Sequence, residues 1–215
     1  MVLYTNHMKL ILASQSPRRK FLMKQMGLVF DTVPSGFDEY FDDNRPADEI
    51  AIELGLGKAR EVADKHPDDL VIGSDLIVVL DGKQLGKPKD TEDAKKLLKS
   101  LSGRTHQLVC SVVAIRNSDN YEFTACDHVE LTFKDISDEA IEEYVSTGTT
   151  MDKAGGYAIQ HPMMKPNVAN IDGRLDTIIG LPTYLLQEPL EKYGYNYSEL
   201  ELEDEEFIAQ TGFHA

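Results

Sequence analysis

An apolar run over residues 10–13 gives way to small polar residues, and two adjacent arginines, Arg18 and Arg19, follow. Ser16 carries the hydroxyl group suited to a helix N-cap and Pro17 suits the first helical position, so we expect a helix to begin here. The first turn of a helix directs unpaired N–H groups outward, and two guanidinium groups beside it can bind phosphate oxygens. The stretch therefore predicts an anion site, although both arginines could instead pair with carboxylates of the chain.

A carboxylate and an ammonium group also stand where apolar side chains are expected. Asp75 interrupts the most apolar stretch of the chain, residues 70–80, which predicts a central strand buried on both faces. A carboxylate there is costly unless it is paired, bound to a metal or facing a cavity. Lys58 falls on the apolar arc of a helix predicted over residues 47–65, so its ammonium either extends to water or reaches a phosphate in a pocket.

Loops supply the remaining polar candidates. Glu39 lies just past a strand predicted over residues 28–33, where α/β folds place working side chains, but it could also be a solvated loop carboxylate. Lys87 stands shortly before a predicted helix. The glycine-rich loop 151–160 allows close backbone approach to a ligand, and Gln160 has the donor and acceptor needed to read a base edge. Each of these signals is weak when taken alone.

The elements that position these residues predict an α/β protein. Further along the chain, the patterns predict a helix over 91–101, an antiparallel pair over 105–115 and 121–133, a helix over 138–145 capped by Ser137, and a last helix from 182 to about 193. Without a repeat or a long linker, the chain predicts a single domain over residues 9–195, with residues 1–8 and 196–215 as terminal extensions. The acidic run 199–206 predicts a solvated tail.

The composition restricts partners and location. The chain has 22 Lys and Arg residues against 37 Asp and Glu residues, a net charge of −15, and 41% hydrophobic residues. So acidic a surface should repel duplex nucleic acid and anionic membranes. No apolar run approaches the roughly 18 residues of a membrane span, and the N-terminus lacks the apolar core of a signal peptide. We therefore expect a cytoplasmic protein.

The two cysteines, Cys110 and Cys126, are too few for a disulfide framework and lie in the two strands that are predicted to pair. If Arg116 pairs with Tyr121, Cys110 faces Asp127 rather than Cys126, and only a bulge would bring the thiols together. We therefore expect two reduced thiols.

Seven motifs, in this order along the chain, resemble those of the Maf family and span residues 9 to roughly 193. They are Ala-Ser-x-Ser-Pro-Arg-Arg at 13–19, Phe-Asp-Glu at 37–39, Gly-Ser-Asp at 73–75, Gly-Lys-Pro at 86–88, Ser-Gly-x-Thr-His at 102–106, Asp-Lys-Ala-Gly-Gly-Tyr-x-Ile-Gln at 152–160 and Gly-Leu-Pro at 180–182. The resemblance implies a fold related to the inosine triphosphate pyrophosphatases, with a mixed twisted β-sheet flanked by helices and a cleft for the nucleotide. It also implies a homodimer, a divalent metal (Mg, Mn or Co), and cleavage of a pyrimidine or modified nucleoside triphosphate to the monophosphate and pyrophosphate. Such hydrolysis would serve to remove non-standard nucleotides.

The same resemblance assigns roles to individual residues. Asp75 matches the family's proposed proton acceptor, and its polar pocket residues are matched by Glu39, Lys58 and Lys87. These four are the catalytic candidates, and both carboxylates are candidate metal ligands. The candidate substrate-binding residues are Ser14, Arg18, Arg19, Leu76 and Gln160. Arg18 and Gln160 resemble the branch that acts on dTTP and UTP rather than the branch that acts on 7-methyl-GTP.

Leu76 departs from the family pattern. The residue after the aspartate is typically Thr in the first branch and Gln in the second, whereas a leucine cannot hydrogen-bond a substrate. The base preference therefore stays open, with a 7-methyl-GTP pyrophosphatase as the alternative. Two functions of other classes also stay open: a nucleotide-sensing regulator of cell division that binds without turnover, and an interaction protein that uses the acidic tail. Two carboxylates present together with two lysines favour catalysis, because a sensor would not need the carboxylates.

Overall fold

The computed structural model describes residues 8–200, and within them the chain forms a mixed sheet of eight strands. The strands are β1 (Leu10–Leu12), β2 (Asp31–Thr32), β3 (Leu70–Gly73), β4 (Leu76–Leu80), β5 (Lys83–Leu85), β6 (Thr105–Arg116), β7 (Tyr121–Phe133) and β8 (Val168–Asp172). The helices are α1 (Pro17–Gln25), α2 (Ala47–Ala63), α3 (Thr91–Leu101), α4 (Asp138–Ser146), α5 (Leu175–Ile179) and α6 (Gln187–Lys192). Two of the short 3₁₀ turns, Ala154–Gly156 and Thr183–Leu186, lie near the site described below.

Strand β6 is the centre of the sheet. Strands β3 and β4 pair one after the other with one edge of β6, and β7 pairs with the opposite edge of β6. All three are antiparallel to β6. Strand β1 is parallel to both β2 and β3, and β8 is antiparallel to β7. This arrangement confirms the predicted mixed α/β sheet flanked by helices.

The predicted strand over residues 70–80 is interrupted at Ser74 and Asp75, between β3 and β4. Strands β3 and β4 nevertheless pair with β6 in one continuous register. At the break the amide of Asp75 donates to the hydroxyl oxygen of Ser111 at 3.0 Å, while the amide of Ser111 donates to the carbonyl of Asp75 at 2.9 Å. Because a side-chain hydroxyl takes the place of a backbone carbonyl here, the prediction of one continuous strand is wrong at this point.

Helix α2 lies on one face of the sheet, and α1 and α6 pack on the opposite face. The approach of α2 to β3 is close: a Cβ on Gly73 would come within 2.6 Å of the carbonyl oxygen of Gly55. A Cβ on Gly55 would in turn lie 2.8 Å from the hydroxyl oxygen of Ser111, so both positions favour glycine where the helix crosses the strand. Lys58 lies one helical turn beyond Gly55, and the close packing carries it to the break at Asp75.

Several predicted elements are confirmed. Helix α1 begins at Pro17, and the hydroxyl of Ser16 accepts a hydrogen bond from the amide of Arg19. Helix α3 has the predicted bounds, Thr91–Leu101, and the hydroxyl of Ser137 caps α4. The long strands β6 and β7 pair as predicted.

Other elements differ from the prediction. The strand expected over residues 28–33 is reduced to Asp31–Thr32, because only two of its residues pair with the short strand β1. The last helix is divided between the 3₁₀ turn Thr183–Leu186 and α6. Strand β8 and helix α5 were not predicted. Of the acidic run 199–206, all but the first two residues lie outside the described part of the chain, as do residues 1–7.

The register of the β6–β7 pair settles the question of the cysteines. Arg116 is opposite Tyr121, so Cys110 is opposite Asp127, as predicted. Cys110 and Cys126 are both free thiols. Within residues 8–200, none of the helices combines the length and the apolar character needed to cross a bilayer.

Candidate active site

A cleft of about 540 Å³ opens beside the break at Asp75, between the β1–α1 junction, the loop after β2 and the loop before α3. Eight of the nine candidate residues line it, namely Ser14, Arg18, Arg19, Glu39, Lys58, Asp75, Leu76 and Lys87. The ninth, Gln160, lines a small adjoining pocket of about 30 Å³ that shares Arg18 and Leu76 with the cleft. The fold therefore gathers residues from distant parts of the chain into one place.

Two carboxylates and two ammonium groups form a connected cluster in this cleft. The Nζ of Lys58 lies 2.5 Å from Oδ1 of Asp75 and 2.7 Å from Oε1 of Glu39. The Nζ of Lys87 lies 2.6 Å from the other oxygen of Glu39. The side chain of Lys58 is only 12% exposed, so its ammonium meets carboxylates rather than extending to water. A chain of alternating charges thus runs from the buried strand to the mouth of the cleft.

The environments of the two carboxylates push their pKa values in opposite directions. Burial raises the pKa of Asp75, and the positive charges of Lys58 and Arg19 offset this only in part. Burial would also raise the pKa of Glu39, but hydrogen bonds from Lys58 and Lys87 outweigh it and lower that pKa to about 2. Glu39 is therefore a fixed anion, whereas Asp75 is the carboxylate better suited to take up a proton.

The β1–α1 junction supplies the positive end of the cleft. The Nε of Arg19 donates to the carbonyl of Gly180 at 2.7 Å, and its Nη1 donates to the hydroxyl of Ser14 at 3.3 Å. These contacts fix the guanidinium while using only two of its five N–H donors. Burial and the neighbouring charge of Arg19 lower the pKa of Arg18. An anion bound between the arginines and the first turn of α1 would relieve that repulsion.

The donor set also bears on a metal ion. Within residues 8–200, no group of three or more His, Cys, Asp or Glu side chains is placed to bind one. Glu39 and Asp75 offer two carboxylates, and the ammonium of Lys58 lies between them at 2.7 and 2.5 Å. Mg²⁺ commonly takes one or two protein carboxylates and completes its shell with water and substrate phosphates. The residues present therefore fit an ion that arrives with a phosphate substrate.

The glycine-rich loop borders the cleft through Asp152 and Ala154, and its two adjacent glycines contact the protein. Gly155 and Gly156 have positive φ angles of 67° and 74°, which favour glycine. The amide of Gly155 donates to the carbonyl of Gly86 at 3.0 Å, and a Cβ on Gly156 would lie 3.2 Å from the ring of Pro88. The glycines thus let the loop pack against the segment that carries Lys87. The side-chain amide nitrogen of Gln160 is buried without a hydrogen-bond partner among the described residues.

Sequence reasoning did not single out two aromatic residues and one carboxylate among the residues that line the cleft. Phe37 and Phe41 line it and flank Glu39, and their rings pack over Gly57 and Gly86, respectively. Gly57 and Gly86 could have indicated these two rings from the sequence, since each leaves room for an aromatic side chain. Asp152, in the glycine-rich loop, also lines the cleft. Burial would raise the pKa of Asp152, but the hydrogen bond and positive charge of Lys153, together with the charge of Arg18, outweigh burial and lower that pKa.

Comparisons with known proteins agree on one family. The family model described as "Maf-like protein" matches residues 9–193. A dTTP/UTP pyrophosphatase of Akkermansia muciniphila is 39% identical over 186 residues, which cover 86% of this chain and 96% of that protein. Proteins of the same name from Caldicellulosiruptor saccharolyticus and Bacillus velezensis are 38% and 40% identical, with coverage of 90% and 86% of this chain and 99% and 97% of their own.

A solved structure, the Ham1 protein of Staphylococcus aureus, aligns with a TM-score of 0.39 and 19% identity, over 58% of this chain and 71% of its own. A similarity of that size supports no conclusion about shared chemistry.

Proposed function

Because this chain belongs to the Maf family, we propose that it hydrolyses the α–β phosphoanhydride of nucleoside triphosphates of the dTTP and UTP type. The products are the nucleoside monophosphate and pyrophosphate. The observation that carries the proposal is the alternating chain of Asp75, Lys58, Glu39 and Lys87, which lies in one cleft with the arginine-bearing start of α1. Such a cleft concentrates positive charge in a protein whose net charge is −15, and a triphosphate needs that concentration.

In this proposal the phosphates lie against the first turn of α1. Arg18 and Arg19 bind phosphate oxygens, and Lys87 binds the triphosphate from the opposite wall of the cleft. The charges that these residues carry stabilise the negative charge that develops on the leaving pyrophosphate. Ser14 and Gly180 already hold the side chain of Arg19 in place. Substrate binding therefore does not have to order this side chain.

Asp75 is the proposed general base. Its raised pKa makes the carboxylate more basic, and it accepts a proton from the attacking water molecule. Lys58 orients that carboxylate from 2.5 Å and links it to Glu39. Glu39 and Asp75 would hold a divalent metal (Mg, Mn or Co), which when bound neutralises phosphate charge and lowers the pKa of a coordinated water molecule.

The base is proposed to lie where the cleft meets the small adjoining pocket, with its imide edge towards Gln160. The amide of Gln160 provides one donor and one acceptor for the imide edge of uracil or thymine, and its buried nitrogen lacks a partner within residues 8–200. A site built on such hydrogen bonds rejects bases that leave them unmade. Leu76 contributes apolar surface where a hydrogen bond could otherwise form, so discrimination among close analogues such as 5-substituted uridines should be loose.

Three further features belong to the proposal. They are a single domain over residues 9–195, a homodimer, and a cytoplasmic location without duplex nucleic acid or membrane as partner. The acidic composition supports the last point, since a net charge of −15 opposes binding to polyanions. Sedimentation at several protein concentrations would determine the oligomeric state.

The proposal is tested by a substrate panel. We expect kcat/KM to be highest for dTTP and UTP, lower for CTP, and lowest for 7-methyl-GTP, with pyrophosphate as the second product. Gln160→Glu should change this ranking, and Leu76→Thr should sharpen it, whereas both should leave the site of cleavage unchanged. Preference for 7-methyl-GTP, or a ranking that ignores Gln160→Glu, would contradict the proposed base recognition. Nucleotide binding without turnover would favour the sensor instead.

A further inference from the structure

The carboxylate of Asp176 is fully buried at the start of α5 and lies outside the cleft. It accepts five hydrogen bonds. Oδ1 accepts from the Nε of Arg174 at 3.0 Å and the amide of Thr177 at 3.1 Å, and Oδ2 accepts from Arg174 at 3.1 Å. Oδ2 also accepts from the amide and the hydroxyl of Thr183 at 2.8 and 2.5 Å. One side chain thus joins both ends of the segment between residues 174 and 183.

The segment closed in this way carries Gly180 at its turn. The amide of Gly180 donates to the backbone carbonyl of Asp176 at 3.0 Å, and its φ of 110° is a conformation that other residues rarely adopt. Both the backbone and the side chain of Asp176 therefore act on the same turn. The outcome is a single defined direction for the Gly180 carbonyl.

The carbonyl of Gly180 accepts hydrogen bonds from two groups, one that lines the cleft and one that is buried beside it. It accepts from the Nε of Arg19 at 2.7 Å and from the hydroxyl of Ser74 at 2.9 Å. Ser74 directly precedes Asp75, so this one oxygen contacts the backbone break beside the proposed base as well as the arginine beside the phosphate site. The two contacts connect residues that are 161 and 106 positions apart in the sequence.

We propose that Asp176 is a positioning residue for phosphate binding: by fixing the Gly180 carbonyl, it holds the guanidinium of Arg19 in the orientation that a phosphate requires. The inference rests on the proposed function. Arg19 carries its charge next to that of Arg18, which repels it, so an unconstrained guanidinium would turn away into solvent. The Gly180 oxygen opposes that movement, and preorganised donors of this kind lose much of their effect when displaced by about 1 Å.

Variants that disturb the hydrogen bonds of Asp176 should bind phosphate more weakly than a control variant that destabilises the protein to the same extent. Asp176→Asn places an amide N–H group against groups that are themselves donors, so it should disturb the turn. Thr183→Val is the milder variant, since it removes one hydroxyl donor from Asp176 and keeps the amide. Thr177→Val is the matched control: Thr177 is equally buried in the same segment, but its hydroxyl donates to Asp127 instead, at 2.5 Å.

The experiment measures the Kd for inorganic pyrophosphate by calorimetry, the KM for UTP, and Tm for each variant. We expect Asp176→Asn to weaken pyrophosphate binding and raise KM by roughly 10-fold, and Thr183→Val to do so by a smaller factor that still exceeds twofold. Thr177→Val should lower Tm as much as Thr183→Val does but change Kd and KM less than twofold. When Arg19 is already replaced by methionine, Asp176→Asn should cause no further change in Kd, because Asp176 affects phosphate binding only through the orientation of Arg19.

Additive effects of Asp176→Asn and Arg19→Met on Kd, or equal losses of affinity in Thr183→Val and Thr177→Val, would overturn the inference. Failure of the proposed function looks different, because the wild-type protein would then hydrolyse none of the triphosphates. The pyrophosphate measurements would still test the role of Asp176 in that case. If Asp176→Asn does not fold, Thr183→Val with its control carries the test alone.

Discussion

Replacing Lys58 with methionine should destabilise the protein strongly at neutral pH and only slightly in acid. The ammonium of Lys58 donates to Asp75 at 2.5 Å and to Glu39 at 2.7 Å. Methionine keeps the apolar stem but leaves the Asp75 side chain, which is 8% exposed, without its counter-ion. The sequence alone predicts a neutral or stabilising effect for a structural lysine that extends to water, and the ion pairs reverse that expectation.

The size of the effect is limited because Asp75 can take up a proton. Removing one partner of a buried ion pair costs about 3–5 kcal/mol while the remaining charge persists. Protonating a carboxyl group of ordinary pKa costs about 4 kcal/mol at pH 7 and about 1.5 kcal/mol at pH 5. Burial already raises the pKa of Asp75 in the wild-type protein, so the variant should prefer to protonate it. We therefore expect a loss of about 3–4 kcal/mol at pH 7 and at most about 1.5 kcal/mol at pH 5.

The sign follows from proton linkage. The folded variant retains a proton on Asp75 that the unfolded chain releases above its ordinary pKa, so stability relative to wild type falls as pH rises, by about 1.4 kcal/mol per pH unit. Urea unfolding between pH 5 and pH 8, with EDTA present, measures this slope. Lys58→Met combined with Asp75→Asn is the control, because removing both charges should recover most of the loss. Equal destabilisation at pH 5 and pH 7, or no recovery in the double variant, would refute the reasoning.

Two further predictions concern pH. Burial lowers the pKa of His106 to about 4, so wild-type stability should fall as pH drops from about 6.5 towards 4. His106→Gln, whose side-chain amide can reach the position of Nε2 and hydrogen-bond Tyr157, should remove up to about 3 kcal/mol of that fall in urea unfolding, and a constant difference from wild type would contradict this. The lowered pKa of Glu39, about 2, contributes stability that is present above its ordinary pKa near 4.5 and lost as pH falls towards 2. Glu39→Gln should therefore lose more stability relative to wild type at pH 6 than at pH 3, and a deficit that does not shrink in acid would argue against the ion pairs.

Sequence reasoning singled out two residues of the cleft because each conflicts with its local pattern. Asp75 interrupts an apolar stretch of sequence and Lys58 stands on the apolar arc of a helix, and the structure buries both side chains. The N-terminus of α1 was readable from Ser16 and Pro17, since capping depends on neighbouring residues only. Local physics of this kind can be read without knowing the fold.

The contacts between these residues could not be predicted, because they depend on tertiary packing. Nothing local shows that Arg19 meets the carbonyl of Gly180, which is 161 positions away. Helix α5 has only five residues, and the five residues of β8 are largely exposed and mix apolar and polar types without alternation, so neither carries a clear periodic signal. The break at Asp75 depends on the hydroxyl of Ser111 in another strand.

The most direct test of the account is the turnover of Asp75→Asn with UTP. Asparagine keeps the size of the side chain but cannot accept a proton from water, so kcat should fall by at least ~10²-fold. Circular dichroism should show a folded protein, which separates loss of the base from loss of structure. A folded Asp75→Asn variant that hydrolyses UTP at close to the wild-type rate would contradict the assignment of Asp75 as the general base.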